Sequence, residues 1–220
     1  MGLARIFDAI SCGWRLFWYM DAKWAAALSA ASFPSSEATI SHANFFLASI
    51  IQRAFPERID ALFGPAYKGI PLAAATAMTL AISFKRQVGF CFNRKESKGH
   101  GEGGKLIGHR LRENETVVII EDVTTAGTSI RESVPLLLET ASIKILGLVV
   151  SVDRMERGAT SKSALAQLRE EFGIRTSAIV NLDEIMEYLH NRQIDGKVVL
   201  DDALYEKIMK YRSTYSAASY

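Results

Sequence analysis

The sequence predicts an α/β fold, an open and mostly parallel twisted sheet with flanking helices. Three observations carry that expectation. Short β-branched runs alternate with helical patterns from residue 59 onward. Several of those runs are apolar on both faces, as buried parallel strands are. Every unusual loop falls at the carboxyl end of a strand, which is where open α/β sheets hold their ligands. At 220 residues the chain suits one such domain with a small extra piece. We therefore expect an atypical helical or hood segment over 1–58 and the α/β domain over 59–220.

In chain order, residues 59–63 read as a strand, 64–69 as a loop and 70–83 as an alanine-rich helix. Residues 89–92 form a second short strand, and 93–104 a polar, glycine-rich, mobile loop. A continuous apolar run over 116–120 ends in Glu121 and Asp122, a turn occupies 124–128, and 129–140 is helical with Ile130, Val134, Leu137 and Leu138 on one side. A buried strand follows over 144–152, then a helix around 163–172 and a strand over 174–180. Asn181 is placed to cap the helix that presents Leu182, Ile185, Met186 and Leu189. The small, polar tail over 213–220 is expected to be frayed.

Composition narrows the function. Lys and Arg number 26 against 24 Asp and Glu, so no global field favours nucleic acid and any anion site is local. Cys12 and Cys91 lack a CxxC partner, and His42, His100, His109 and His190 form no metal-binding spacing, so no structural zinc is expected. The most apolar stretch, 14–28, is interrupted by Arg15, Asp21 and Lys23 and falls short of the roughly 18 residues a membrane span needs. Nor does it read as a signal peptide, and a reducing cytoplasm is the expected compartment. Trp14, Phe17, Trp18 and Trp24 fit an interfacial helix or, preferably, an ordinary helix packed on the domain or a second subunit.

The strongest chemical signal is a buried strand that delivers Glu121 and Asp122 and then turns through Val123, Thr124, Thr125, Ala126, Gly127, Thr128 and Ser129 into a helix. Free amides and hydroxyls at a positive helix end suit a phosphate monoester. Carboxylates repel phosphate but accept hydrogen bonds from ribose hydroxyls. Acids plus cradle point to a ribose 5-phosphate; the rival reading is a strand whose acids merely cap a helix. A second signal, FGPAYKGIP over 63–71, contains GxxxxG, but Ile70-Pro71 stands where a nucleotide-binding P-loop has Lys-[Ser/Thr]. A tight loop with a lysine at a strand end, here Lys68, can still hold a pyrophosphate through amides and charge, although alone the stretch is an ordinary strand-to-helix turn. The third, over 93–104, strings Arg94, Lys95, Lys98 and His100 among four glycines. Cations would neutralise a departing pyrophosphate and the glycines would let the loop close as a lid. A solvated surface loop is the alternative.

The run over 117–129 resembles the phosphoribosyl pyrophosphate motif of type I phosphoribosyltransferases. FGPAYKGIP, CFNRKESKGHGEGG, EDVTTAGTSIRES and VSVDRMERG, in that order, resemble the orotate phosphoribosyltransferase family from about residue 59 to about 157. The resemblance implies transfer of ribose 5-phosphate from phosphoribosyl pyrophosphate to orotate, giving orotidine 5′-monophosphate and pyrophosphate in pyrimidine biosynthesis. It implies that Tyr67 and Lys68 touch the pyrophosphate or its neighbours and that Arg94, Lys95, Lys98 and His100 are lid contacts. Glu121 through Ser129 would hold ribose and 5′-phosphate, and Thr125 and Arg154 would contact orotate. Lys98, Lys95, His100 and Asp122 would carry the catalysis. It further implies Mg²⁺ held mainly by substrate oxygens rather than by a protein metal site, and a homodimer whose lid serves the neighbouring site.

The family's N-terminal Lys-Ser-Gly-Arg-x-Ser-Pro type segment, which supplies a lysine and an aromatic pair near orotate, is not found. Residues 25–36 read AAALSAASFPSS instead, and Phe45-Phe46 stands in a different context. Divergence, an altered reading frame upstream of about residue 55, or a different hood over the base would each produce this. The alternatives in function are transfer to another nucleobase, or a non-catalytic regulator that senses phosphoribosyl pyrophosphate; the charge balance and lack of a basic stripe disfavour the latter.

Overall fold

The computed structural model describes residues 39–94, 105–124, 126–158, 160–194 and 197–217. Helix α1 (Thr39–Ala54) leads into strand β1 (Ala61–Phe63), helix α2 (Gly69–Ser83), and strands β2 (Gly89–Asn93) and β3 (Leu106–Gly108). Then come β4 (Thr116–Thr124), α3 (Thr128–Thr140), β5 (Lys144–Asp153), α4 (Ala164–Phe172), β6 (Arg175–Asn181) and α5 (Leu182–Leu189). A two-stranded ribbon, β7 (Gln193–Ile194) with β8 (Lys197–Val198), precedes α6 (Asp202–Tyr215). The expected α/β elements are present within a residue or two of the predicted bounds, apart from β4, which runs four residues further. No described helix is long and apolar enough to cross a membrane.

The six-stranded sheet has the order β3-β2-β1-β4-β5-β6, parallel throughout except for β3, which runs antiparallel to β2. Side chains alternate between faces along a strand, so each doubly apolar run feeds two cores. Leu62, Val118, Ile120 and Val149 point to the face covered by α1 and α2. Ala61, Phe63, Val117, Ile119, Leu148 and Val150 point to the face covered by α3 and α4. A third cluster gathers Val152, Val180, α5 and Ile208 of α6 at one side of the sheet.

Helix α1 is part of this core. Leu47, Ala48, Ile51 and, just beyond it, Phe55 are fully buried among residues of β1, β4 and α2. The boundary expected at residue 58 therefore cuts between a helix and the sheet it covers. Phe55 lies against Gly147, where an added Cβ would stand 2.6 Å from its ring. Phe45 lies in α1 with its ring 5.5 Å from that of Phe84.

The tail differs from the sequence expectation. Residues 213–215 belong to α6, and Ser216 and Ala217 pair with the loop after β5 through a bridge to Glu156 and an N–H···O bond from Ala217 to Met155. Among the described residues the chain is thus anchored to position 217. Asn181 caps α5 as expected, in a capping box completed by Glu184.

Candidate functional site

Strand order reverses between β1 and β4: from β1 the chain moves to β2 on one side, and from β4 to β5 on the other. At such a switch point the loops leaving neighbouring strands diverge and open a crevice at the carboxyl ends. Here β1 stops at Phe63, level with Ile119, while β4 continues to Thr124. The longer strand forms a wall above the shorter one.

The loop after β1 closes on itself. An added Cβ on Gly64 would stand 2.0 Å from the Gly69 carbonyl oxygen, and one on Gly69 would stand 2.8 Å from the Gly64 carbonyl carbon. The two glycines of GxxxxG therefore face each other, and the Gly69 N–H donates to the Pro65 carbonyl at 3.0 Å. Packing, with no nucleotide involved, accounts for the spacing. The loop is tied to its neighbour by the Ala66 N–H, which donates to Asn93 Oδ1 at 2.8 Å. What it presents outward is Tyr67, 66% exposed, and Lys68.

The two acids do not act as a side-by-side pair. The apolar run stops at Ile120, but β4 carries both acids within its paired length, Glu121 opposite Val150 and Thr124 opposite Asp153. Strand alternation sends them to opposite faces. Glu121 is buried toward α3, where Ser129 Oγ donates to its Oε2 at 3.0 Å and the Asp122 N–H to its Oε1 at 3.3 Å. Burial, and then the Asp122 charge beside it, push the Glu121 carboxyl up to about 7. Asp122 turns toward α2 and pairs with Lys68, Nζ to Oδ2 at 3.0 Å. That ion pair, between residues 54 positions apart, joins the two loops expected to share one ligand.

The turn after β4 is short. Gly127 is the N-cap of α3 with φ 74°, a left-handed conformation that favours glycine. It has no side-chain oxygen to cap α3, which leaves the helix's first N–H groups to an outside acceptor such as phosphate. Ala126 is held by Arg131, whose guanidinium donates to its carbonyl and pairs with Glu171 at 2.8 Å. Val123 and Ser129 are half-buried, Thr124 is buried and Thr128 is exposed. Thr125 lies outside the described residues.

Of the expected lid, Arg94 is exposed at the end of β2, and its N–H donates to the Lys105 carbonyl at 3.1 Å. With β3 returning antiparallel to β2, Arg94 and Lys105 stand side by side at one hairpin base. Lys95, Lys98 and His100 lie outside the described residues. Arg154 follows β5, one strand from Thr124, with its Nη2 2.5 Å from Glu156 Oε1. Among the described residues no group of three or more His, Cys, Asp or Glu could hold a metal ion. The hard oxygen donors at the crevice are Glu121, enclosed, and Asp122, whose side chain is 18% exposed.

Three contributors carry no role in the sequence reading. Asn93 lay within the singled-out loop, but its role as acceptor for Ala66 depends on a partner 27 residues away. Glu156 lay inside VSVDRMERG without an assigned role, and Tyr211, which donates to it at 3.1 Å, carries no local signal.

The phosphoribosyl transferase domain matches residues 31–177, beginning upstream of the expected boundary. Orotate phosphoribosyltransferase of Clostridium beijerinckii is 48% identical over 172 residues, covering 78% of this chain and 77% of that protein. Its counterpart in Lachnoclostridium phytofermentans is 49% identical over 170 residues, covering 77% and 76%. The crystal structure of orotate phosphoribosyltransferase from Francisella tularensis superposes with a TM-score of 0.65 at 33% identity, covering 83% of this chain and 82% of that one.

Proposed function

The chain belongs to the orotate phosphoribosyltransferase family, and from that premise we propose that it transfers the ribose 5-phosphate of phosphoribosyl pyrophosphate to orotate, forming orotidine 5′-monophosphate and pyrophosphate. The observation that carries the reading is the Lys68–Asp122 contact at the switch point. It brings a pyrophosphate-side cation and a ribose-side carboxylate to one crevice whose far wall ends in a phosphate-type turn.

In the reaction the bond from the anomeric carbon to pyrophosphate breaks, a bond from that carbon to a ring nitrogen of orotate forms, and the nitrogen's proton is released. Lys68 and the lid residues Lys95, Lys98 and His100 offset the charge growing on the leaving group. Asp122, and Glu121 when ionised, favour the positive character growing on the sugar. The amides and hydroxyls over 124–129 hold the 5′-phosphate, Tyr67 and Arg94 border the pyrophosphate, and Thr125 and Arg154 receive the base. An arginine fork suits the orotate carboxylate.

Mg²⁺ fits the donor set. It binds through one or two carboxylates plus substrate oxygens and keeps several waters, and Asp122 is the accessible carboxylate here. When bound it would neutralise pyrophosphate charge. The working form we propose is an isologous cytoplasmic homodimer in which the 95–104 loop reaches the neighbouring site.

The test is loss of orotate absorbance with phosphoribosyl pyrophosphate and Mg²⁺, for the full chain and for Lys98→Ala. The full chain consumes orotate, and the variant turns over more slowly by on the order of 10²–10³-fold with its fold intact. Orotate left untouched while phosphoribosyl pyrophosphate still binds would refute transfer to this base. Unchanged turnover in Lys98→Ala would remove that residue from the mechanism.

A further inference from the structure

The loop that carries Arg154 is held from a distance in sequence. Glu156 Oε1 accepts from Arg154 Nη2 at 2.5 Å and from the Tyr211 hydroxyl at 3.1 Å, so one carboxylate oxygen ties the arginine to α6. The Arg154 and Glu156 side chains are each 15% exposed, which shields their contact from solvent screening. The backbone repeats the connection. The Ala217 N–H donates to the Met155 carbonyl at 3.0 Å and the Arg157 N–H to the Tyr215 carbonyl at 2.8 Å, while the Arg157 guanidinium donates to the Thr214 carbonyl.

This bracing has a conformational reason. Met155 has φ 54°, a left-handed conformation that a residue with a Cβ adopts only where its surroundings over-determine it. Its N–H donates to Asp153 Oδ1 at 2.8 Å and its carbonyl is taken by Ala217. The turn between Arg154 and Glu156 therefore depends on the end of α6. Helix α6 is in turn tied to α5 by the Arg212–Asp183 ion pair. Tyr211 also packs on Tyr215, with ring centroids 4.6 Å apart, so its hydroxyl is aimed by ring packing. Burial, and then the Glu156 carboxylate, push that hydroxyl up, which keeps it a donor.

We propose that Glu156 and Tyr211 are positioning residues for the base half of the site, fixing the Arg154 guanidinium, with the last turn of α6 as the strut that holds their loop. The inference rests on the reading of Arg154 as the contact to the carboxylate of the base. Neither Glu156 nor Tyr211 needs to touch substrate. Their effect falls on orotate and spares phosphoribosyl pyrophosphate, because the residues assigned to pyrophosphate and ribose lie on β4 and in the segments that follow β1, β2 and β4, away from the loop after β5.

The experiment compares kcat/KM for orotate and for phosphoribosyl pyrophosphate, each with the other saturating, in Tyr211→Phe, Glu156→Gln, Arg154→Ala and the Tyr211→Phe/Arg154→Ala double variant, with a thermal midpoint for each. Arg154→Ala loses on the order of a hundredfold in kcat/KM for orotate, as a lost charged hydrogen bond does. Tyr211→Phe loses about threefold to tenfold for orotate and less than about twofold for phosphoribosyl pyrophosphate. In the Arg154→Ala background its effect disappears, since residues acting as one unit are not additive. Glu156→Gln keeps shape and one acceptor oxygen, and its intermediate loss tests the same link should Tyr211→Phe lower the midpoint. If Arg154→Ala lowers orotate kcat/KM while Tyr211→Phe and Glu156→Gln leave it unchanged, the positioning role is overturned and the reading of Arg154 stands. A Tyr211→Phe loss that persists in full without Arg154, or falls equally on both substrates, overturns it as well. Unchanged kcat/KM in Arg154→Ala overturns the reading of Arg154 and the inference with it.

Discussion

The two ends of the sheet handle charge in opposite ways. At the amino ends Asp60, Arg86 and Arg175 are each matched locally. Asp60, just before β1, accepts from the Thr116 N–H at 2.9 Å and the Thr116 hydroxyl at 3.0 Å, and pairs with Arg58 at 2.6 Å. Arg86 donates to the Phe55 carbonyl at 2.8 Å, and Arg175 donates to the Ala54 carbonyl at 2.8 Å, pairs with Glu57 and lies 4.4 Å over the Phe55 ring. These arginines satisfy carbonyls at the C-terminus of α1, which a helix end leaves without intrahelical partners. At the carboxyl ends Glu121 stands buried beside Asp122, Asp153 is pushed up by burial, and Tyr67 and Lys68 are held out from a loop that needs two glycines to close. Burial raises Asp60 too, but the bonds from Thr116 and Arg58 outweigh it and its carboxyl ends below the ordinary range. The contrast separates a region whose charges close on backbone and fold contacts from one where burial raises carboxyls beside the Lys68–Asp122 pair.

The largest expected effect comes from Gly64→Ala. Its Cβ would stand 2.0 Å from the Gly69 oxygen and 2.4 Å from the Gly69 carbon, and both are backbone atoms that no rotamer change can move. The loop must open and carry Lys68 away from Asp122. We expect turnover to fall by on the order of a hundredfold, the scale of a misplacement of about 1 Å. Steady-state rates within twofold of the parent would break the view that loop closure positions the site.

Glu121→Gln comes next and separates function from stability at one position. The folded protein holds the Glu121 proton to about pH 7, whereas the unfolded chain releases it near 4.5. The raised carboxyl thus contributes stability that is fully present below pH 4.5 and lost as pH rises to about 7. The variant should lose activity by about tenfold while its unfolding free energy falls less steeply over that window than the parent's. Parallel denaturation curves at pH 5 and pH 8 for the two proteins would contradict this.

Asp60→Ala is the smallest effect and tests the other end. Removing the acceptor leaves the Thr116 N–H without its partner, at a cost of about 1–3 kcal/mol. Because the Asp60 carboxyl is held low, its contribution is present above the ordinary carboxylate range and lost as pH falls through its lowered value. The denaturation midpoint should drop at pH 7, the difference should shrink in acid, and kcat should stay within about twofold. A large fall in kcat at full stability would erase the division between the two ends.

Much of the site was legible because its demands are local. A run such as Val117–Ile120 is apolar on both faces within a few residues, so a strand buried on both sides could be read directly. The turn over 124–128 advertised itself through small hydroxylic residues and a glycine whose φ is indeed positive. The assignments at Lys95, Lys98, His100 and Thr125 rest on sequence, outside the described residues. The place of helix α1 in the core was hidden because its burial depends on Gly147 making room for Phe55, and β3 because three residues carry too little pattern to mark an antiparallel edge.

By itself the sequence determined the alternation of strands and helices, the three loops at the carboxyl ends and the kinds of group each loop offers. These follow from periodicity and from turn chemistry, which act over a few bonds. The tertiary structure alone decided that Glu121 and Asp122 face opposite layers, that Lys68 pairs with Asp122, and that the end of α6 braces Arg154. Each of those joins depends on strand length, register and packing between distant segments, which no local pattern specifies.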